Sequence, residues 1–275
     1  MARTNFAESA SRARPWLCVT LTVAALLPAA TAAAQTENPI VTDRPTQSAA
    51  TFVISPGVFQ IEGGYRFTRA EGDSDAATDA HLFPDALFRF GVVDWAEARL
   101  TVGGLGVTSA TGTENSSGFN DIGLGAKFAV ADEAGARPAI SILVDVTVPV
   151  GSDELTGDFV SPKLLALLSR TLSDRWALTV NLGPAILRDH EETGVDLEYA
   201  AAIGAVMSSH FTLFAEFYGA LPLSDVRVHR HSFQTGVTAL LGSDVQLDAR
   251  VGLGFVDDVP DWLAGFGVSW RLFSD

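Results

Sequence analysis

One cysteine, Cys18, is all the thiol chemistry this sequence holds, and it sits inside an apolar N-terminal stretch. From residue 35 onward there is none. That excludes disulfide frameworks, thiol catalysis and cysteine-bound metals in the rest of the chain. Long apolar runs are missing too. After Gln35 none approaches the ~20 residues that a spanning helix needs. Positive charge is scarce, with 18 Lys+Arg against 33 Asp+Glu and a formal charge of −15. Nucleic-acid binding requires a basic face, so that partner class is excluded. Nucleophile-elbow and phosphate-loop patterns are absent, and the acidic loops lack calcium-loop spacing.

The first 34 residues read as an export signal and not as part of the fold. Arg3, Arg12 and Arg14 make a positive start, Leu17 to Ala30 an apolar core, and Ala32-Ala33-Ala34 a small-residue cleavage site before Gln35. Cys18 lies early in that core, and Pro15-Trp16-Leu17 before it does not suit lipoprotein processing. Removing 1–34 takes three arginines and one glutamate, which moves the formal charge to about −17.

What is present is alternation. From Val58 to Arg69, Phe59, Ile61, Gly63, Tyr65 and Phe67 share one strand face, and Gln60, Glu62, Gly64, Arg66 and Thr68 share the other. The pattern recurs to the end of a chain that is 47% hydrophobic. An exported chain that is apolar on average, but never for long, can enter a membrane as strands of ~9–11 residues. An open sheet edge in lipid would leave backbone groups unsatisfied, so the strands must close into a barrel. The expected fold is all-β, a closed antiparallel transmembrane barrel of about twelve strands, with ten as the competing count. A soluble secreted all-β domain is the alternative class.

The twelve runs are Val58–Arg69, His81–Phe90, Ala96–Gly104, Phe119–Val130, Ala139–Val150, Phe159–Leu172, Ala177–Ile186, Val195–Met207, Phe211–Ala220, His231–Leu241, Val245–Gly254 and Trp262–Phe273. Their connections alternate short and long, as in barrels with tight periplasmic turns and larger outer loops. Ala70–Ala80 and Leu105–Gly118 are read as long loops. At the second hairpin, Gly91 opposite Trp95 would set Arg89 against Glu97. Trp95, Trp176, Trp262, Trp270 and Tyr65 fall near strand ends, where interface girdles are expected. The expected organisation is signal peptide 1–34, N-terminal segment 35–57 and barrel 58–275.

The inward faces carry both signs: Glu62, Arg66, Asp85, Arg89, Glu97, Arg99, Asp121, Lys127, Asp145, Lys163, Glu198, Glu216, Asp248 and Arg250. A mid-membrane Arg or Lys on a lipid face costs ~2–4 kcal/mol, so these belong in the lumen. Even mixing of signs favours an ion-pair network that braces the lumen, with lining of a selective path as the second role. The segment 35–57 is too short to fold alone. Either it tucks into the lumen as a partial plug, with Arg44 pairing to Glu62 or Glu97, or it is a periplasmic tail.

Several pieces together resemble one family: Thr42-Asp43-Arg44-Pro45, Pro56-Gly57 with Gln60, Glu62, Gly64 and Tyr65, Arg89-Phe90-Gly91 with Asp94, Glu97 and Arg99, Asp121 to Lys127, Pro149 to Ser152, Glu216 to Gly219, and Gln246-Leu247-Asp248. The family is the outer-membrane barrel transporter family of the phenol meta-cleavage (MetA) degradation pathway. The resemblance implies a monomer that admits small, often aromatic, molecules passively across the cell outer membrane without cofactor. Its partners would be the lipid bilayer, lipopolysaccharide and a small solute. The site residues are taken as Glu62, Arg66, Arg89, Glu97, Arg99, Lys127 and Asp248 in the lumen, with Asp43 and Arg44 in the plug. An outer-membrane hydrolase and a structural or adhesive barrel are the other classes. Hydrolysis needs a base within ~3 Å of a hydroxyl. The neighbours His231 and Ser232 point to opposite strand faces, so the chain is read as having no enzyme activity. His229 and His231 form a His-x-His pair and His190 lies beside acids, but no third ligand completes a metal site with the pair.

Overall fold

The stretch Val245–Gly254 shows how alternation becomes a wall. Gln246, Asp248, Arg250 and Gly252 are buried, while Leu247, Ala249, Val251 and Leu253 are exposed. A soluble sheet hides its oily face and wets its polar one. Here the order is reversed, as required when the outside solvent is acyl chain and the inside is polar.

The computed structural model describes residues 39–72, 76–112, 114–157, 159–189, 192–223, 229–256 and 259–273. The expected export signal with Cys18 lies outside the described residues, as does His190. Fourteen strand segments are described: β1 (Phe59–Glu71), β2 (Ala77–Val93), β3 (Ala96–Val102), β4 (Leu105–Ala110), β5 (Ser116–Phe119), β6 (Ile122–Ala131), β7 (Ala139–Val148), β8 (Ser161–Thr171), β9 (Trp176–Asp189), β10 (Glu192–Val206), β11 (Phe211–Pro222), β12 (Arg230–Leu241), β13 (Val245–Gly254) and β14 (Trp262–Leu272). Each pairs antiparallel with its neighbours, and β1 pairs with β14 from Phe59 opposite Leu272 to Arg69 opposite Trp262. The sheet is therefore closed.

β3 and β4 both pair with β2, while β6 pairs with β3 and β5 with β4. Each of these two couples is one barrel stave broken in the middle, so the staves number twelve, not ten. The first break falls at Gly103-Gly104. Gly104 has φ +52°, a left-handed conformation that a side chain would resist. Asn120, at the second break, donates to the carbonyls of Gly103 (3.2 Å) and Gly104 (3.4 Å) and bridges the two.

Three expectations are corrected. Leu105–Gly118 is not a loop but largely the β4–β5 hairpin, paired from Leu105 opposite Phe119 to Thr108 opposite Ser116. Ala70–Ala80 shrinks because β1 runs to Glu71 and β2 starts at Ala77. Beyond the lipid both strand faces meet water, so these arms have no need of the apolar alternation that marks the rest. The register at the β2–β3 hairpin is also displaced by two residues: Val93 faces Ala96, Gly91 faces Glu97, and Arg89 faces Arg99. A bulge between Gly91 and Val93 and a tighter turn cause the shift. Because the shift is even, every side chain keeps its face.

Trp95, Trp176, Trp262 and Trp270 are all exposed on the outside. On β14, Trp262 and Trp270 are eight positions apart, about 20 Å along the barrel axis at ~3.4 Å per residue and ~40° tilt. Tyr65 departs from the expectation. It sits mid-strand opposite Phe266, and its hydroxyl meets His81 Nδ1 at 2.6 Å.

Candidate functional site

An extended peptide inside a barrel has no sheet to pair with, so its N–H groups need side-chain acceptors. Residues 39–57 have that need, and the inward carboxylates and amides of the wall supply it. The segment enters beside the β12–β13 turn, where Ile40 N–H donates to Ser243 O at 2.7 Å. It leaves beside the β2–β3 turn, where Gly57 N–H donates to Gly91 O at 2.9 Å. Both points lie at the short-turn end of the barrel. Between them, Asp43 and Arg44 N–H donate to Glu62 Oε2 (2.9 and 2.8 Å), and Gln47 and Ser48 N–H to the two Glu216 oxygens (2.8 Å each). Ala49 N–H donates to Asn181 Oδ1 at 2.6 Å, and Asn181 Nδ2 returns a bond to Ala49 O at 3.1 Å. Ile54 N–H donates to Glu97 Oε2 at 3.0 Å. Carbonyls are served likewise: Arg89 reaches Val41 O and Phe52 O, Lys127 reaches Phe52 O, and Ser141 reaches Thr51 O at 2.6 Å.

Two charge clusters result. In the first, Asp43 receives Arg99 at 2.6 Å, Lys127 at 3.2 Å and the Ala50 N–H at 2.9 Å, with Arg89 at 3.8 Å. Arg89 also clasps Glu97 (2.8 Å) and Glu62 (3.0 Å), and Arg99 meets Glu97 at 2.7 Å. Three cations meet three carboxylates, and all six side chains are buried or nearly so. Burial alone would raise the Asp43 carboxyl. The surrounding Arg89, Lys127 and Arg99 and the Ala50 N–H overcome that and hold it well below the usual carboxylate range.

In the second cluster, Arg44 lies against Gly64 and Gly267, which face each other across the β1–β14 ladder. A Cβ on either would stand 2.5 Å from its guanidinium, so the paired glycines make the niche. Arg44 donates to both Asp248 oxygens at 3.3 Å and stands 3.8 Å from Asp85. Arg66 and Arg250 share the same Asp85 oxygen at 3.4 and 3.8 Å, and Arg250 donates to Pro45 O at 2.6 Å. The expected partners of Arg44 are thus corrected. Its backbone goes to Glu62, but its guanidinium goes to Asp248 and Asp85, because Arg89 and Arg99 already occupy Glu97.

Above the segment the lumen holds two cavities of about 380 and 390 Å³, both bordered by Gln47, Lys163, Leu165 and Asn181. The structure brings together all nine singled-out residues: Asp43, Glu62, Arg89, Glu97, Arg99 and Lys127 in one cluster, and Arg44, Arg66 and Asp248 in the other. Sequence reasoning missed Asn181 and Ser141, and it named Gln60, Gln246 and Glu216 without singling them out as site residues. Their signal was a polar residue at an inward position. For Asn181 that position lies between Thr179 and Gly183 on the inward face of β9.

A family model described as "Putative MetA-pathway of phenol degradation" matches residues 42–272. No curated protein matches the chain. Among solved structures, an outer-membrane channel from Pseudomonas putida F1 is 14% identical, with 83% of this chain and 100% of that one covered and a TM-score of 0.65. The translocator domain of the autotransporter NalP from Neisseria meningitidis is 14% identical, covering 80% and 90%, at 0.53. The NanC porin is 12% identical, covering 78% and 100%, at 0.50. All share the closed barrel fold, and the apolar outer face of this wall is the kind that a bilayer covers.

Proposed function

We propose, from the premise that this chain belongs to the phenol-degradation family whose model it matches, that it is a passive channel for small solutes, aromatic or hydrophobic ones among them. One observation carries the reading: the lumen is not filled to its length, but opens above residues 39–57 into two solute-sized cavities. The segment acts as a partial plug that narrows the periplasmic half. Glu62, Arg89, Glu97, Arg99 and Lys127 brace it with Asp43. Arg44 and Arg66 line the path above, and the buried Asp248 holds Arg44 in place. The protein works as a monomer, with lipopolysaccharide around its outer rim. Transport needs no cofactor. An outer membrane has no nucleotide energy source, so flux follows the solute gradient.

A channel role also accords with the solved barrels of similar fold, which include a channel and a porin. Against hydrolysis, Ser232 is buried on the inner face while its neighbour His231 is not. Ser209 and His210 do meet at 2.8 Å, but in an exposed turn and not on the lipid-facing wall. Liposome swelling with small phenols, benzoates and sugars tests the channel. Deleting 35–54 tests the plug: single-channel conductance rises if the segment obstructs the lumen, and unchanged conductance removes it from the mechanism.

A further inference from the structure

The two charge clusters are not balanced alike. Around Asp43 three cations meet three carboxylates. Around Asp85, among the described residues, three guanidinium groups (Arg44, Arg66 and Arg250) face two carboxylates, Asp85 and Asp248, which leaves one positive charge over. The contacts to Asp85 are long, 3.4 to 3.8 Å, as expected when one carboxylate oxygen is divided among three cations. Arg250, almost fully buried, keeps an Nε–H with no hydrogen-bond partner among the described residues. Arg66 is open to the lumen. A buried cationic group left short of acceptors is a costly arrangement that an incoming anion relieves.

The cavity bordered by these arginines has a second kind of wall. Leu82 and Leu87 from β2, and Leu143 and Leu165 from β7 and β8, line the same 380 Å³ space. On the far side Asp145 faces Lys163 across the β7–β8 ladder, and Lys163 also meets Glu198 at 3.6 Å. That side has negative charge in excess and would turn an anion toward the arginines. Asp121 is already engaged, accepting from the N–H groups of Gly151 (2.9 Å) and Gly157 (3.0 Å). The space thus offers guanidinium donors at one end and aliphatic surface beside them, a pairing suited to a ring that carries a carboxylate.

We infer that this cavity is a binding subsite for small aromatic or aliphatic monocarboxylates, held head-first by Arg66 and Arg250, and that it prefers such acids to neutral phenols. This rests on the channel reading above and names the solute class of the same lumen. The test is calorimetric titration of the detergent-purified full-length barrel with sodium benzoate and with phenol at pH 7. Benzoate is expected to bind at least about tenfold more tightly than phenol. Arg66→Gln weakens benzoate binding about tenfold, and Asp85→Asn, which removes the competing carboxylate, strengthens it. Effects of opposite sign cannot both come from misfolding. Equal binding of benzoate and phenol, or benzoate binding indifferent to both substitutions, overturns the inference. Liposome flux separates it from its premise. Benzoate binding without flux of any solute sinks the channel and keeps the subsite; flux with equal benzoate and phenol affinities does the reverse.

Discussion

Asp43 carries more contacts than a residue of a tail would need. It is the one carboxylate that the lumenal segment gives to Arg99, Lys127 and Arg89, and its backbone is held by Glu62. Asp43→Asn leaves those cations with Glu62 and Glu97 alone. Breaking a buried pair from one side costs about 3–5 kcal/mol. The expected outcome is loss of protection of residues 39–57 against added protease, with a larger single-channel conductance. The acid response follows from the same contacts. The folded-state pKa of Asp43 lies below its unfolded value near 4, so its stabilisation is complete above that value and fades only as pH falls through the depressed one. Conductance is therefore expected to stay level from pH 8 to pH 5, with release of the segment only well below pH 4. A rise between pH 7 and pH 5 would assign control to another group. Gly267→Ala tests the niche from the other side. Its Cβ would stand 2.5 Å from Arg44 and 2.7 Å from Gly63 O, so Arg44 must leave Asp248 or the ladder must shift. Either way, the heat needed to lose the folded electrophoretic band should drop. At this scale the sequence was most legible where charge meets a strand face: Glu62, Arg89, Glu97 and Lys127 had nowhere else to go. It was least legible for Asn181 and Gln246. An uncharged amide is tolerable on either face near a rim, so its type does not fix its role.

The segment 39–57 is ordered by side chains of the wall and not by a ladder of its own. That explains why its expected position stayed open between plug and tail in the sequence. Nothing local distinguishes a peptide waiting for carboxylates from a mobile one; some of the acceptors sit on strands 204 positions away, as with Arg44 and Asp248. A labelling experiment checks the arrangement directly. The described barrel contains no cysteine, so in a Cys18→Ser background Ser48→Cys, buried at 3% exposure, is expected to resist a polar maleimide. Thr111→Cys, exposed beside the β4 tip, should label in intact cells. Rapid labelling at both positions would place the segment outside the lumen. The strands show the same division between near and far information. Within the lipid, alternation forced every stave and its face to be readable. Above it, β4 and β5 are held by ladder bonds that half-buried Val107, Thr108 and Ser109 do not advertise. The β2–β3 register was misjudged by two because a bulge costs little and leaves no compositional mark.

Taken whole, the molecule is a polar core wrapped in an apolar sleeve, and its exposed large side chains include Leu124, Leu164, Leu213, Val251, Phe266 and Val268. In water such a surface would be an association hazard; in a bilayer it is the source of stability, because moving it out of lipid is what unfolding requires. The sleeve has a centre. On β14, Phe266 lies midway between Trp262 and Trp270, is 61% exposed, and meets the ring of Tyr65 in a tilted contact, with centroids 5.5 Å apart. Phe266→Arg puts a charge at that depth without touching the lumen, whose groups on the same strand are the alternate residues Gly265 and Gly267. The expected cost is ~2–4 kcal/mol if the midplane is where the tryptophans place it. The same substitution at Leu253, opposite Trp262 near the outer end of its strand, should cost ~0–1 kcal/mol. Reversible urea unfolding in lipid vesicles measures both. Equal costs at the two positions would mean that the apolar band is not centred on Phe266. A negligible cost at both would mean that the sleeve faces something other than acyl chains.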